Sequence, residues 1–282
     1  MTSATTAAPA LGRRERRRAE TVEEIHATAR RLLVERGQHE ALSLRAIARE
    51  MGMTAPALYR YFDSHEALVE ALVGELYDEL CDAMERAALA VTAVDREVGD
   101  DPELGPIARL VAASKTFRSW SVAHPAEFGL VFGAPIPGVD LMDENSPACL
   151  GGQRFGQVFA TLFLALWQAR PFPVPDEATL DPRLVEQVAS YRDELGVDLP
   201  VPVVYVFLSC WARLYGLVTI EVFGHLQFAL GDPEPAFDTE LHQIGVQLGI
   251  ADAGERVWGA AMAAVDAALG APTSRPASPT TS

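Results

Sequence analysis

Apolar residues recur at helical spacing along most of the chain, and the pattern predicts an all-α fold. It is sharpest over residues 42–62, LSLRAIAREMGMTAPALYRYF. Leu44, Ile47, Ala48 and Met51 fall at i, i+3, i+4 and i+7, one apolar face about two turns long. Ser43 stands before that face as an N-cap, because its hydroxyl can accept from a free N–H of the first turn. Gly52 ends the helix, since a residue without Cβ enters the left-handed region cheaply. Thr54 is placed to cap a second helix with Pro56 in its first turn, where a missing N–H costs nothing. Leu58 and Phe62 face inward, leaving Ala55, Ala57, Tyr59 and Arg60 on other faces. Helix, glycine turn and capped helix in about twenty residues is a helix-turn-helix arrangement. An ordinary helical hairpin inside an all-α core has the same pattern.

The flanks add further helices. Thr21 to Gly37 reads as a helix with a Thr21/Glu24 capping box and a buried stripe of Val22, Ile25, Ala29, Leu32 and Leu33. Asp63 and Glu66 give a second such box, opening a helix with Leu68, Leu72, Leu76 and Leu80 that runs to about Val91. Beyond Pro102 the pattern predicts helices over Ile107–Ala123, a short one around Phe128 and Phe132, then Phe155–Ala169, Pro182–Leu195, Val201–Leu230, Asp238–Gly249 and Arg256–Leu269. Residues 133–147 hold three prolines and two glycines and read as a loop. The expected division is a disordered basic arm at 1–19, the helix-turn-helix unit at 20–66, a helical body at 67–270 and a disordered Pro/Ser/Thr-rich tail at 271–282.

Charge changes the picture. The 282 residues carry a net charge of −16, unfavourable for binding nucleic acid when taken whole. Residues 1–62, however, hold 11 Arg and 7 Glu, a balance of +4, and the remainder holds 12 basic and 32 acidic residues, a balance of −20. A basic head on an acidic body suits DNA, reached by the head alone. Small residues at the start of the second helix allow it to sink into a major groove, with Tyr59 and Arg60 in reach of phosphates or base edges. Arg13, Arg14, Arg16, Arg17 and Arg18 read either as a solvated tail or as an arm along DNA, since Arg enters narrow minor grooves favourably. Cys81, Cys149 and Cys210 lie far apart with no CxxC or Cys/His cluster, which disfavours a metal site or disulfide framework. No GxSxG, GxGxxG, P-loop or HExxH pattern occurs, so neither an enzyme nor a cofactor is indicated. The N-terminus lacks an apolar signal core, and the apolar run Val201–Trp211 is too short to cross a bilayer before Arg213. A soluble cytoplasmic protein with no membrane partner is expected.

The span from about 20 to 72 resembles the DNA-binding domain of the TetR family of bacterial transcriptional regulators. The residues that carry the likeness are the Ala29–Leu32–Leu33 stripe, Gly37, Ser43, Leu44, Ile47, Ala48, Gly52, Leu58-Tyr59-Arg60-Tyr61-Phe62 and Glu66-Ala67-Leu68. His65 stands where the family usually has a phosphate-contacting Lys. The segment WARLYGLVTIEVFGHL is similar to a C-terminal domain of some members: Trp211, Gly216 and Glu221 match, and Tyr215 replaces the His.

The resemblance implies a homodimer on a palindromic, double-stranded DNA operator, paired through the last long helices, here Val203–Leu230 and those after Asp238. DNA contacts fall on Ser43 and Arg45 at phosphates, on Thr54, Ala55, Ala57, Tyr59 and Arg60 in the groove, and on Tyr61 and His65 at the backbone. It also implies a pocket for a small apolar ligand in the body, and a repressor that ligand releases. The body's helical aromatics are the candidate lining: Phe117, Trp120, Phe128, Phe132, Phe155, Phe159, Trp167, Tyr205, Trp211 and Tyr215. Tyr205, Tyr215, Gln157 and Arg213 are the candidate polar handles. The rival reading is an all-α hydrophobe-binding protein or enzyme whose head only packs.

Overall fold

The computed structural model describes residues 12–37, 42–98, 104–136, 138–139, 143–250, 258–263 and 265. Ten α-helices within these residues carry labels: α1 Arg13–Arg36, α2 Leu44–Glu50, α3 Ala55–Leu58, α4 His65–Val98, α5 Leu104–Ala123, α6 Pro125–Phe132, α7 Pro147–Ala169, α8 Pro182–Leu195, α9 Val201–Val222 and α10 Glu234–Gln247. Residues 258–263 are also helical, and no strand occurs among the described residues. The fold is all-α, as the periodicity predicts. The expected tail at 271–282 and residues 1–11 of the expected arm lie outside the described residues.

Two compact units result, one drawn from residues 1–76 and 126–150, the other from 77–125 and 151–282. In the first, α1 buries Ile25, Ala29, Leu32 and Leu33, α2 buries Leu44, Ile47 and Ala48, and α4 buries Leu68, Leu72 and Leu76. The segment containing α6 belongs to this unit, although its sequence places it with the body. One tie is visible there: Arg30 of α1 donates to the buried carboxylate of Glu127 of α6 at 2.9 Å. In the second unit α9 packs against α5, α8 and α10. As a whole α9 is long and apolar enough to cross a bilayer by length and composition. In this fold it buries Val203, Val204, Val206 and Val218, and its Arg213 and Glu221 are both ion-paired.

Several element ends differ from the sequence expectation. The arginines at 13–18 are not an irregular arm but the opening turns of α1, because Arg, Glu and Ala favour helix and no Gly or Pro interrupts residues 13–36. Glu15 accepts from the Gly12 N–H at 2.8 Å, and Thr21 is mid-helix, donating its hydroxyl to the Arg17 carbonyl at 2.9 Å. The cap of α4 is Ser64, whose hydroxyl accepts from the Ala67 N–H at 3.1 Å, rather than Asp63. Ser146 caps α7 in the same way, accepting from the Cys149 N–H at 3.0 Å, so that helix begins eight residues before Phe155. Finally, α9 stops at Val222, where the chain turns through Gly224 at φ 72°.

Two glycines separate turn from helix energetically. Gly52 sits between α2 and α3 at φ 65°, and Gly156 lies inside α7 with nothing within 4 Å of an added Cβ. Gly52→Ala is expected to lower stability by about 1–2 kcal/mol through left-handed strain. Gly156→Ala is expected to raise it by roughly 0.5–1 kcal/mol by stiffening the unfolded chain. Urea unfolding of the two variants should therefore move the midpoint in opposite directions.

Candidate functional site

The helix-turn-helix is built as its local chemistry requires. The Ser43 hydroxyl accepts from the Ala46 N–H at 3.3 Å and so caps α2. Thr54 occupies the N-cap of α3 with extended backbone, but its side chain makes no cap bond. The second helix is a single turn, Ala55–Leu58, continued by turns in which the Tyr61 and Phe62 N–H groups donate to the Leu58 carbonyl at 2.9 and 3.2 Å. Leu58 is fully buried and Phe62 nearly so, which fixes the outward face. On that face Ser43, Arg45, Thr54, Tyr59 and Arg60 are exposed, with Tyr59 at 51%, while Ala55, Ala57, Tyr61 and His65 are half-buried. The His65 ring lies 3.8 Å from the Glu66 carboxylate.

Arg18 organises this face, and the residue pattern does not reveal it. Its guanidinium donates to the Arg60 carbonyl at 3.1 Å and lies 5.3 Å over the Tyr61 ring. A cation at the end of a helical turn complements the unsatisfied carbonyls there. Arg31 joins α1 to α2 through Glu50 at 3.0 Å and also holds Glu35 at 3.1 Å. Two carboxylates are thereby paired, whereas exposed Arg45, Arg49 and Arg60 make no ion pair among the described residues. The surface is a cationic one around small side chains.

The second unit contains a cavity partly open to solvent, its empty space about 580 Å³ with the open solvent at its mouth included. Its walls come from α5 (Ile107, Val111), α7 (Phe159, Phe163), α9 (Phe207, Trp211), α10 (Leu241, Ile244) and Trp258. Of the ten aromatic candidates, Phe159 and Trp211 line it. Phe117 and Phe155 pack onto Trp211 with centroids at 5.7 and 5.4 Å, and Tyr215 lies against it at 5.5 Å. The other five lie away from the walls. Trp120 donates its indole N–H to Glu79 at 2.7 Å, Trp167 sits against Phe172 at 4.8 Å, and Tyr205 is half-buried on α9. Phe128 and Phe132 contact each other at 5.1 Å within the first unit. Among the polar candidates, Gln157 is exposed and Arg213 binds Gln247 and Glu240, each at 3.0 Å.

Among the described residues, the cavity walls are neutral. Its polar side groups include the Ser114 hydroxyl, which already donates to the Leu110 carbonyl at 2.9 Å, and the Cys210 thiol. Burial pushes that thiol up to about 11, against a weaker opposite pull from Arg213, so it stays protonated at neutral pH. No Asp, Glu, Lys or Arg is among the described wall residues. Charges on the same helices are paired: Lys115 with Asp238 at 3.3 Å, and Arg118 with Glu221 at 2.7 Å and Glu234 at 3.5 Å. Gly245 admits Trp258, whose ring would meet an added Cβ at 2.7 Å.

A family model described as the tetR family of bacterial regulatory proteins matches residues 25–72, and one described as the tetracyclin repressor-like C-terminal domain matches residues 110–244. HTH-type transcriptional regulator Rv1816 of Mycobacterium tuberculosis is 30% identical over 240 residues, covering 82% of this chain and 93% of its own length. The chain belongs to the TetR family. HTH-type transcriptional regulator Mb1846 of Mycobacterium bovis matches with the same identity and coverage. The crystal structure of SCO4313, described as a regulatory protein, superposes with a TM-score of 0.62 at 26% identity, over 83% of this chain and 98% of that one. This TetR-family member is a DNA-binding transcriptional regulator of the helix-turn-helix type, and the matched span 25–72 contains α2, α3 and the turn between them.

The Arg118–Glu221 pair beside the cavity is nearly buried on both sides, at 12% and 8% exposure. Glu221→Gln leaves a desolvated guanidinium with Glu234 at 3.5 Å as its one remaining carboxylate partner among the described residues, and a loss of about 3 kcal/mol is expected. Arg118→Met combined with Glu221→Leu should recover most of it. Urea unfolding of the single and double variants checks both outcomes.

Proposed function

We propose that this TetR-family regulator is a homodimeric repressor that binds a palindromic operator and releases it when a small, uncharged, apolar ligand enters the cavity. The observation that carries the reading is the pairing of an apolar cavity, whose described wall residues bear no charge, in one unit with a cationic, small-residue face in the other. The described wall offers a charged ligand no compensation for its desolvation, and so favours neutral ones. On the head, Ser43 and Arg45 serve phosphates, Thr54, Ala55, Ala57, Tyr59 and Arg60 enter the major groove, and Tyr61 and His65 touch backbone. A dimer supplies two such faces for half-sites about one helical turn (~34 Å) apart.

Release is a population shift, in which ligand favours head positions that fit the operator poorly; by linkage, operator weakens ligand binding by the same factor. Chain continuity supports a route. Helix α5 supplies cavity wall, passes through His124-Pro125 into α6, and α6 holds α1 through Glu127 and Arg30.

Binding to the protein's own upstream intergenic DNA, compared with random DNA by fluorescence anisotropy, tests the reading. The expected result is a strong preference for one palindromic site, lost at least a hundredfold in Tyr59→Ala/Arg60→Ala while thermal unfolding stays unchanged, since both side chains face solvent. Uncharged hydrophobes should then dissociate the complex and quench Trp211 and Trp258 emission, and charged analogues of equal size should do neither. A double variant that binds as the wild type does would remove the head from the function. Light scattering that gives a monomer on operator would remove the dimer.

A further inference from the structure

The opening turns of α1 form a feature that the helix-turn-helix, apart from its contact with Arg18, does not use. Residues 12–20 are all exposed, and the first fully buried residue of α1 is Ile25. Roughly 12 Å of helix therefore precedes Thr21, at 1.5 Å per residue. This stretch lies outside the span 25–72 that the family's DNA-binding model matches. It holds Arg13, Arg14, Arg16, Arg17 and Arg18 against Glu15 and Glu20. At about 100° per residue, Arg13, Arg14, Arg17 and Arg18 share an arc of roughly 140°. Arg13 and Arg17 are i,i+4 neighbours, as are Arg14 and Arg18, and like charges at that spacing destabilise a helix by about 0.2–0.5 kcal/mol per pair.

None of Arg13, Arg14, Arg16 and Arg17 makes an ion pair among the described residues. Glu15, the acidic residue inside the run, is turned to the Gly12 N–H. Arg18 alone is engaged, and its partners are the Arg60 carbonyl and the Tyr61 ring. That contact sets the face containing Arg14, Arg17 and Arg13 beside the end of the recognition segment. A row of unpaired cations leads up to the far end of the DNA-reading segment.

We propose that this arginine face is a second DNA-binding surface, a rigid ridge that contacts the phosphates of duplex flanking the operator without reading its bases. The inference rests on the DNA-binding reading above and adds to it a site outside the shared domain. Charge complementarity selects the partner: the rest of the chain from residue 63 is strongly acidic, so the ridge has the sign that DNA attracts and the body lacks. Helical form selects the mode. An α-helix with side chains is about 10–12 Å across and the minor groove about 6 Å wide, so a helical ridge lies across the backbone where an extended arm would thread the groove. The major groove is taken by the recognition segment to which Arg18 ties the ridge.

The test is the salt dependence of binding for the full-length protein and for Arg13→Ala/Arg14→Ala/Arg17→Ala, on a duplex with about ten flanking base pairs, a duplex trimmed to the operator, and a random duplex. Each lost phosphate contact should reduce the slope of log K against log salt by about 0.9, so a change of roughly 2–3 per bound protomer is expected on the flanked and random duplexes. On the trimmed duplex the two proteins should coincide, and the ratio of operator to random affinity should be unchanged. The triple Arg→Lys variant should keep the wild-type slope, because a phosphate accepts either point charge. Equal slopes for wild type and the Ala variant on the flanked duplex overturn the ridge. A changed operator-to-random ratio, or a slope lost in the Lys variant, overturns the base-independent mode in favour of groove insertion. Absence of any operator preference in the wild type defeats the repressor reading alone, since the slope difference on random duplex is read separately.

Discussion

A helix of one turn cannot hold itself in water, because nucleation fixes more backbone than its few hydrogen bonds repay. The second helix of the helix-turn-helix is such a helix, four residues long. Everything around it supplies the missing order. Leu58 and Phe62 pin it from below, Gly52 sets its approach, Arg18 closes its far end, and α1 is in turn tied to α2 through Arg31 and Glu50. Its form is thus borrowed from tertiary contacts. Its geometry depends on α1 more than on its own backbone.

What was legible in the sequence was local. The Ser43 cap, the Gly37 and Gly52 turns and the Leu58/Phe62 anchors are each decided by residues within a few positions of one another, and each is found in the fold. The family likeness rests on the same local residues. Distance in sequence hid the rest. Helix α6 reads as part of the body because nothing near it announces a partner 97 positions earlier, yet Glu127 is held by Arg30 and the segment belongs to the first unit. The start of α1 was hidden differently: Thr21 and Glu24 have capping spacing, but a hydroxyl can equally bond the carbonyl four residues back, and Thr21 does so.

The cavity illustrates a second limit. Aromatic residues are conspicuous in a sequence, and ten were candidates, but only Phe159 and Trp211 face the empty space. Phe117 and Phe155 form the layer behind them. Much of the wall is aliphatic, including Ile107, Leu214 and Ile244, and such residues carry no mark that separates wall from core. Composition can therefore announce a cavity without saying which side chains enclose it. The ion pairs on α5, α9 and α10 are similarly invisible beforehand, because each joins residues over a hundred positions apart or on separate helices.

The missing side chain at Gly245 has a consequence for how this protein can diversify. Helix α10 lets the Trp258 indole lie directly against its backbone, and that indole is one wall of the cavity. Any larger residue at 245 must displace the ring, and the volume available to a guest changes with it. A single residue of α10 thus acts as a size dial for the cavity.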